Sequence, residues 1–137
     1  MSYAGDMTPQ EAWAALEQHP EAVLVDCRTA AEWAFVGVPD VSALGKQAVL
    51  IEWVSFPSMA PNPRFVEALR EAGVDDDAEV LFLCRSGHRS IGAAEAATAA
   101  GIEKAYNILD GFEGGLDAQG HRGAAGWRAE GLPWRQQ

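Results

Sequence analysis

The sequence predicts an α/β fold, in which an open, mostly parallel five-stranded sheet is flanked by helices on both faces. Short apolar runs rich in β-branched residues, which suit buried strands, recur along the chain. These runs alternate with segments that carry helix-start signals, and such βα units build parallel sheets. The 137 residues are enough for a core and fit one domain, so we expect a single domain spanning residues 1–137.

The first part of the chain predicts a helix, a strand and a second helix. In TPQEAWAALEQHP, Thr8 is the expected N-cap, proline takes the first helical position, and Glu11 closes a capping box. The apolar run AVLVDC, residues 22–27, predicts a buried strand. In TAAEWAF, Thr29 and Glu32 repeat the capping-box spacing, so a second helix should begin there.

The middle of the chain predicts a strand, a loop and a helix. The run AVLIEWVSF, residues 48–56, is apolar enough for a strand. The segment PSMAPNP contains three prolines in seven residues and is expected to be a loop. A helix should start at Asn62 and Pro63 and end near Gly73.

The last part of the chain predicts two strands around a small helix. The strands are AEVLFL, residues 78–83, and KAYNIL, residues 104–109, with the Ala-rich helix SIGAAEAATAAG between them. The Gly-rich residues 110–126 are expected to form a loop. Trp127 and Trp134 should then pin the end of the chain to the domain.

The composition is that of a soluble globular protein and argues against several classes of function. The net charge of −10 argues against nucleic acid as a partner, because duplex affinity comes mostly from Lys and Arg on phosphates. No apolar run approaches the ~20 residues that span a membrane, and the first residues show no secretory signal, so we expect a cytoplasmic protein. Two cysteines, three histidines and no CxxC motif give little support for a metal site, so both thiols should be free.

The segment CRSGHRS joins a predicted strand to the helix after it and has the features of an anion-binding loop. Gly87 permits a positive φ, so the loop can curl and direct its N–H groups inward, beside a helix N-terminus. Arg85 and Arg89 add two permanent charges that suit oxyanions. Because such a field stabilises a thiolate, we interpret Cys84 as a nucleophile for an anionic substrate. The alternative is a buried core cysteine, with the arginines in surface ion pairs.

The spacing between Cys84 and Arg89 separates two kinds of chemistry. Cysteine phosphatases use C-x5-R, whose wider ring accommodates a tetrahedral phosphate, whereas this chain has C-x4-R. The smaller ring suits a persulfide or the sulfane end of thiosulfate better. A phosphatase or an arsenate reductase is therefore a less favoured prediction than sulfur transfer.

Four segments, in the same order along the chain, resemble the rhodanese family. CRSGHRS is similar to its active-site loop, C-R-x-G-x-R-S, and LVDCRTAAEW resembles its D-x-R-x-x-x-E-[YW] signature. YNILDGFEGG resembles the strand and turn after the active-site helix, and GWRAEGLPW resembles the common single-domain ending. The resemblance spans nearly the whole chain, and it implies a rhodanese-like fold and a sulfurtransferase that carries sulfur as a cysteine persulfide.

The resemblance also implies roles for the loop residues. Cys84 would attack the outer sulfur of a small anionic donor such as thiosulfate, without a cofactor. Cyanide, a thiol or a sulfur-accepting protein would then remove that sulfur. Arg85 would face the mouth and steer the donor, while the loop N–H groups would hold the charge of the persulfide. The expected substrate contacts are Arg85, Ser86, Gly87, His88 and Arg89.

Supporting roles are expected for polar residues near the strand ends. Arg89 should point inward to a carboxylate, either Glu32 or Asp26, and so brace the loop. Asp26 and Arg28 are expected to belong to the same polar network. Cys27 stands where the family usually has an aliphatic residue. It is interpreted as a small core residue or, alternatively, as a resolving thiol that takes the sulfur or forms a disulfide with the loop cysteine.

Two further functions stay open at this point. A non-catalytic rhodanese-like interaction module is one, although such modules typically lose the loop cysteine that this chain keeps. A persulfide-carrier protein is the other. It would need the same loop as the enzyme, so the sequence does not distinguish them.

Overall fold

The computed structural model describes residues 2–136 and contains one five-stranded parallel sheet. The strands in chain order are β1 (Gly5–Met7), β2 (Ala22–Asp26), β3 (Val38–Pro39), β4 (Val49–Leu50), β5 (Glu79–Leu83), β6 (Lys104–Ile108) and β7 (Trp134–Arg135). The sheet has the order β1–β6–β5–β2–β4, and every neighbouring pair in it is parallel. Strands β3 and β7 form a separate antiparallel pair. The predicted α/β class with a five-stranded sheet is confirmed.

Within residues 2–136, four α-helices connect the strands. They are α1 (Pro9–Gln18), α2 (Ala30–Phe35), α3 (Phe65–Glu71) and α4 (Arg89–Ala99). Both predicted capping boxes are present: Thr8 pairs reciprocally with Glu11 at α1, and Thr29 with Glu32 at α2. Over residues 2–136, none of the helices is long and apolar enough to cross a membrane.

The helices cover both faces of the sheet, and two apolar clusters lie between them and the strands. Successive side chains of a strand point to opposite faces. In and after β5, Val80, Phe82 and Cys84 therefore belong to the cluster that includes residues of α3 and α4. Leu81 and Leu83 belong to the other cluster, which includes residues of α1 and the buried Trp127.

The strand predicted over residues 48–56 is much shorter than expected, and that prediction is wrong beyond Leu50. After β4 the chain folds back on itself: Val54 makes an antiparallel bridge to Pro61, and the Ser55 N–H donates to the Ala60 carbonyl at 2.9 Å. These local bonds take groups that a longer sheet strand would have used. The apolar residues after Leu50 instead cover the cluster beneath α3, as Trp53 does against Phe65.

Two other differences concern short strands that pair with distant segments and the start of one helix. Strands β1, β3 and β7 were not predicted, because each is only two or three residues long and has no apolar run of its own. Helix α3 begins at Phe65 rather than at Asn62, whose side chain accepts from the Arg64 N–H at 3.0 Å in a turn before the helix.

The end of the chain is anchored mainly by one of its two predicted tryptophans. Trp127 is fully buried, contacts Trp13 edge-to-face, and donates from Nε1 to the Pro133 carbonyl at 2.7 Å. Trp134 is 40% exposed and contacts Phe112 edge-on. The expected anchoring is therefore confirmed for Trp127, while Trp134 covers the surface of the same cluster.

We predict that Gly92→Ala lowers the free energy of unfolding by about 1–3 kcal/mol, although alanine is the better helix former. A Cβ at position 92, at the end of the first turn of α4, would lie 2.9 Å from Nε1 of Trp53. The indole has little room to move, because it packs edge-on against Phe65 with ring centroids 5.1 Å apart. Urea unfolding of the two proteins measures the difference.

The matched control is Gly115→Ala, at an exposed loop position where a Cβ meets nothing within 4 Å. It should change the free energy of unfolding by no more than about 1 kcal/mol. A Gly92→Ala protein as stable as the parent would show that Trp53 does not set the size limit at this helix.

Candidate active site

Cys84 lies at the carboxyl end of the central strand β5 and is fully buried. The neighbouring strand β2 ends at the same level, since Asp26 pairs with Leu83 and the Cys27 N–H donates to the Leu83 carbonyl at 2.8 Å. In open parallel sheets this edge is where ligands bind. The topology thus brings the predicted residues after β5 and after β2 together.

The loop between Cys84 and Arg89 curls around the cysteine sulfur. Gly87 has a φ of +91°, and its N–H donates to Cys84 Sγ at 3.2 Å. A side chain at position 87 would also collide with the backbone, because a Cβ there would lie 2.9 Å from the Asp110 nitrogen. The predicted role of Gly87 in closing the loop is therefore confirmed by geometry, and glycine is needed there for two reasons.

A turn after β6 holds this loop through main-chain hydrogen bonds. The Phe112 N–H donates to the Cys84 carbonyl at 2.8 Å, and the Glu113 N–H donates to the Arg85 carbonyl at 2.9 Å. Gly111, between them and β6, approaches the Cys84 carbonyl so closely that a Cβ would not fit. The sulfur therefore sits in a rigid backbone frame.

On its other side, Cys84 Sγ contacts a polar side chain that the sequence analysis did not select. Ser90 Oγ lies 3.2 Å from Sγ and also donates to Asn107 Oδ1. Both Ser90 and Asn107 are buried. Two signals could have identified them: Ser90 is the last residue of the CRSGHRS motif, and Asn107 is a polar residue inside the apolar strand β6.

Arg89 points to Glu32, one of the two partners predicted for it. Its two terminal nitrogens each donate to a different carboxylate oxygen of Glu32 at 2.8 Å. Burial works to raise the pKa of the Glu32 carboxyl, but hydrogen bonds from Arg89 and Thr29 outweigh it and hold that pKa below its usual value. This bidentate pair ties the start of α4 to α2 and braces the loop.

A cavity of about 230 Å³ opens beside this ion pair. Arg85, Arg89 and Glu32 supply its charged side, while Phe56 and Met59 supply an apolar side. Arg85 is exposed, so its guanidinium can meet an incoming anion. The lining residues are Thr29, Ala31, Glu32, Phe56, Met59, Arg85 and Arg89.

Ser86 and His88 occupy the outer part of the loop. Ser86 is half-buried, and His88 is exposed at the start of α4, where it makes no side-chain capping bond. By contrast, α1 and α2 both begin with capping boxes. The helix that faces the candidate site therefore begins without a side-chain cap, as α3 also does.

A sequence profile of the STR4 middle domain matches residues 4–137, which is almost the whole chain. The chain belongs to the STR4 middle domain family. The crystal structure of Rv0390 from M. tuberculosis is 60% identical in sequence, with a TM-score of 0.91, and the match covers 99% of this chain and 100% of that one.

More distant structures show which fold this STR4 middle domain has. A rhodanese-like domain protein from Staphylococcus aureus matches with a TM-score of 0.55 at 22% identity, over 78% of this chain and 86% of that one. A polysulfide-sulfur transferase homodimer from Wolinella succinogenes matches with a TM-score of 0.65 at 22% identity, over 96% of this chain and 78% of that one. The predicted rhodanese-like fold is confirmed.

Asp26 and Arg28 do not join the network around Arg89, so that expectation is wrong. Both are fully buried, and Arg28 Nη2 lies 2.7 Å from Asp26 Oδ2. Arg28 also donates to the Gly37 carbonyl at 2.7 Å and stacks on the Phe112 ring, 4.3 Å from its centroid. Phe112 belongs to the cluster on the α1 face. Because strand side chains alternate, this pair lies across the sheet from Cys84.

Cys27 has the surroundings of a core residue in this STR4 middle domain. It is fully buried, and its Sγ donates to the Leu83 carbonyl at 3.3 Å. Burial, and after it the charges of Cys84 and Asp26, raise the pKa of the Cys27 thiol well above its ordinary value. A thiol that stays protonated is a poor nucleophile, which favours the core interpretation over a resolving role.

Arg28→Ala should lower the free energy of unfolding by about 3–5 kcal/mol, because it leaves the Asp26 carboxylate buried without a counter-charge. The matched control is Arg64→Ala. The ion pair of Arg64 with Glu67 is 2.7 Å long but 71% and 54% exposed, so its loss should cost at most about 1 kcal/mol. Urea unfolding compares them, and similar losses in both variants would contradict the assignment of Asp26–Arg28 as a buried brace.

Cys27 should resist iodoacetamide in the folded protein. We expect its alkylation near pH 8 to be at least about tenfold slower than after unfolding, since its raised pKa leaves little thiolate. Peptide mass spectrometry assigns the modified cysteine, and Cys27→Ala should leave labelling of Cys84 unchanged. Labelling of native Cys27 at the unfolded rate would revive the resolving thiol.

Proposed function

We propose that the protein is a sulfurtransferase, which moves sulfane sulfur from a small anionic donor to a thiol or cyanide through a persulfide on Cys84. The observation that carries this proposal is the frame around the sulfur. Cys84 Sγ lies at the base of a C-x4-R loop and accepts the Gly87 N–H at 3.2 Å. A backbone donor at this point suits a sulfur that bears or shares negative charge.

In the first proposed step, the Cys84 thiolate attacks the outer sulfur of thiosulfate. The S–S bond of the donor breaks, its electron pair leaves with sulfite, and a new bond joins Sγ to the transferred sulfur. Cyanide or a thiolate then attacks that outer sulfur, and the electron pair of the persulfide bond returns to Sγ. Charge is conserved in both steps and no oxidant is consumed, so ping-pong kinetics are expected.

The charges at the cavity fit a donor of this kind. Glu32 neutralises Arg89 through its bidentate pair, so the net positive charge on the cavity wall comes from the exposed Arg85. We assign Arg85 to attracting the donor, and Arg89 to holding the loop. We assign Ser86 and His88, on the outer part of the loop, to adjusting which donor or acceptor enters.

The comparisons support sulfur transfer at the level of fold. The rhodanese-like fold of this chain is shared with the polysulfide-sulfur transferase of Wolinella succinogenes. That likeness concerns architecture, and the chemistry proposed here rests on Cys84 and its loop. The physiological partner is proposed as a thiol compound or a sulfur-accepting protein.

The test is thiocyanate formation from thiosulfate and cyanide. We expect turnover by the parent protein, none by Cys84→Ser, and a mass gain of one sulfur atom on Cys84 after thiosulfate alone. Arg85→Ala should raise the KM for thiosulfate about tenfold, the equivalent of ~1.4 kcal/mol. Arg64→Ala, which removes an exposed arginine in α3's N-cap position, is the matched control and should leave KM unchanged.

Other outcomes discriminate between the alternatives. Persulfide that forms on Cys84 without turnover would favour a carrier protein. Aryl phosphate hydrolysis that is lost in Cys84→Ser would favour a phosphatase. Absence of both persulfide and thiocyanate, together with a protein partner that binds Cys84→Ala equally well, would favour an interaction module and overturn the enzyme proposal.

A further inference from the structure

A row of hydrogen-bonded side chains runs from the surface to the sulfur of Cys84. We call it the polar row, and it consists of Asp6, Asn107, Ser90 and Cys84. Asn107 Nδ2 donates to Asp6 Oδ1 at 3.1 Å, Ser90 Oγ donates to Asn107 Oδ1, and Ser90 Oγ lies 3.2 Å from Cys84 Sγ. Asp6 is exposed, whereas the other three are buried. Tyr3 also donates to Asp6 Oδ1, at 2.8 Å.

The polar row has a fixed direction, which follows from the donors and acceptors available. An ionised carboxylate such as Asp6 only accepts, so the NH2 group of Asn107 must face it. The carbonyl oxygen of Asn107 then faces Ser90 and can only accept. A serine hydroxyl has one proton, which Ser90 gives to Asn107. Toward Cys84, Ser90 therefore presents only a lone pair.

We propose that Asn107 is a positioning residue that holds Ser90 as a hydrogen-bond acceptor toward Cys84 and so favours the resting cysteine as a thiol. A Cys84 S–H can donate to that lone pair, whereas a thiolate would face it without a proton between them. To stabilise a thiolate, Ser90 would have to turn its proton to Sγ. That would leave the buried Asn107 carbonyl unpaired, which is costly.

The polar row opposes the other groups that act on this sulfur. The Gly87 N–H donates to Sγ at 3.2 Å and supports a thiolate. The positive charge of Arg89 also favours a thiolate, and Cys27 on the adjacent strand adds no opposing charge while it stays protonated. Arg85 and His88 lie on the exposed part of the same loop. The resting state is set by the balance between this loop and the polar row.

A consequence is protection of the unloaded cysteine. Oxidation of cysteine begins from the thiolate, so a resting thiol is attacked more slowly. For Cys84 to react as a thiolate with an anionic donor beside Arg85, the hydrogen bond from Ser90 to Asn107 would have to break, so that Ser90 could donate to the sulfur. This consequence concerns the same cysteine as the proposed function, but the inference itself is tested without any sulfur donor.

The test measures the rate of Cys84 alkylation by iodoacetamide on the reduced protein. The pH is varied between 5 and 9, because thiols in proteins commonly titrate in this range. Asn107→Leu has a similar shape but offers no acceptor, so Ser90 becomes free to donate to the thiolate. On the acidic side of the profile, where the thiol dominates, the alkylation rate should rise about tenfold, the effect of a hydrogen bond to a charged group. The same substitution in a Ser90→Ala background should have no effect.

A second variant avoids the buried position. Asp6→Asn can donate to or accept from Asn107, so the direction of the polar row is no longer fixed, and the alkylation rate should rise in the same sense. Glu103→Gln, which removes an exposed charge at the other end of β6, is its matched control and should not change the profile.

The proposal is overturned if Asp6→Asn and Asn107→Leu both keep the parent profile. It is also overturned if Asn107→Leu accelerates alkylation equally with and without Ser90, since that result indicates a merely structural role. Thiosulfate turnover enters neither criterion, so failure of this inference and failure of the proposed sulfur transfer are distinguishable.

Discussion

The site depends on a close main-chain contact between the loop after β5 and the turn after β6. The carbonyls of Cys84 and Arg85 accept N–H groups from Phe112 and Glu113, so the loop cannot widen without breaking a buried backbone pair. Gly87 and Gly111 make this approach possible, because a Cβ on either would strike the opposite backbone. The sulfur is thus positioned by backbone geometry. The side chains of Arg85 and His88 take no part in this frame and are exposed.

Two ion pairs near the strand ends, Arg89–Glu32 and Asp26–Arg28, serve different faces of the sheet. Arg89–Glu32 fixes the loop on the side of the cavity, where solvent can reach it. Asp26–Arg28 has no access to solvent and is packed against Phe112, so it links the end of β2 to the apolar cluster on the α1 face. The alternation of strand side chains separates the pairs, although Asp26 and Cys27 are adjacent in sequence. Adjacency to Cys27 in sequence therefore does not place Asp26 on the face of the sheet that carries Cys27 and Cys84.

Local bonds explain which parts of the molecule the sequence could predict. Thr8 with Glu11, and Thr29 with Glu32, specify helix starts within four residues, and the structure has both. Glu32 was one of the two partners predicted for Arg89, because each of these two residues lies in a recognisable motif, Glu32 in LVDCRTAAEW and Arg89 in CRSGHRS. The short strand β1 depends on its pairing with β6, about a hundred residues away, and no local signal in the sequence indicates it. Ser90 and Asn107 were missed for the same reason, because their contact exists only through the order of the strands.

The uncapped start of α4 has a consequence at the opposite side of that helix. Without a capping bond at His88, α4 must gain its stability from packing, and it does so through Ala93, Ala94 and Ala97, all fully buried. Larger side chains there would push the helix, and the loop with it, away from β5. The position of the loop therefore depends on small residues along the inner face of α4. Such positions would tolerate little substitution even though none of them touches a reacting atom.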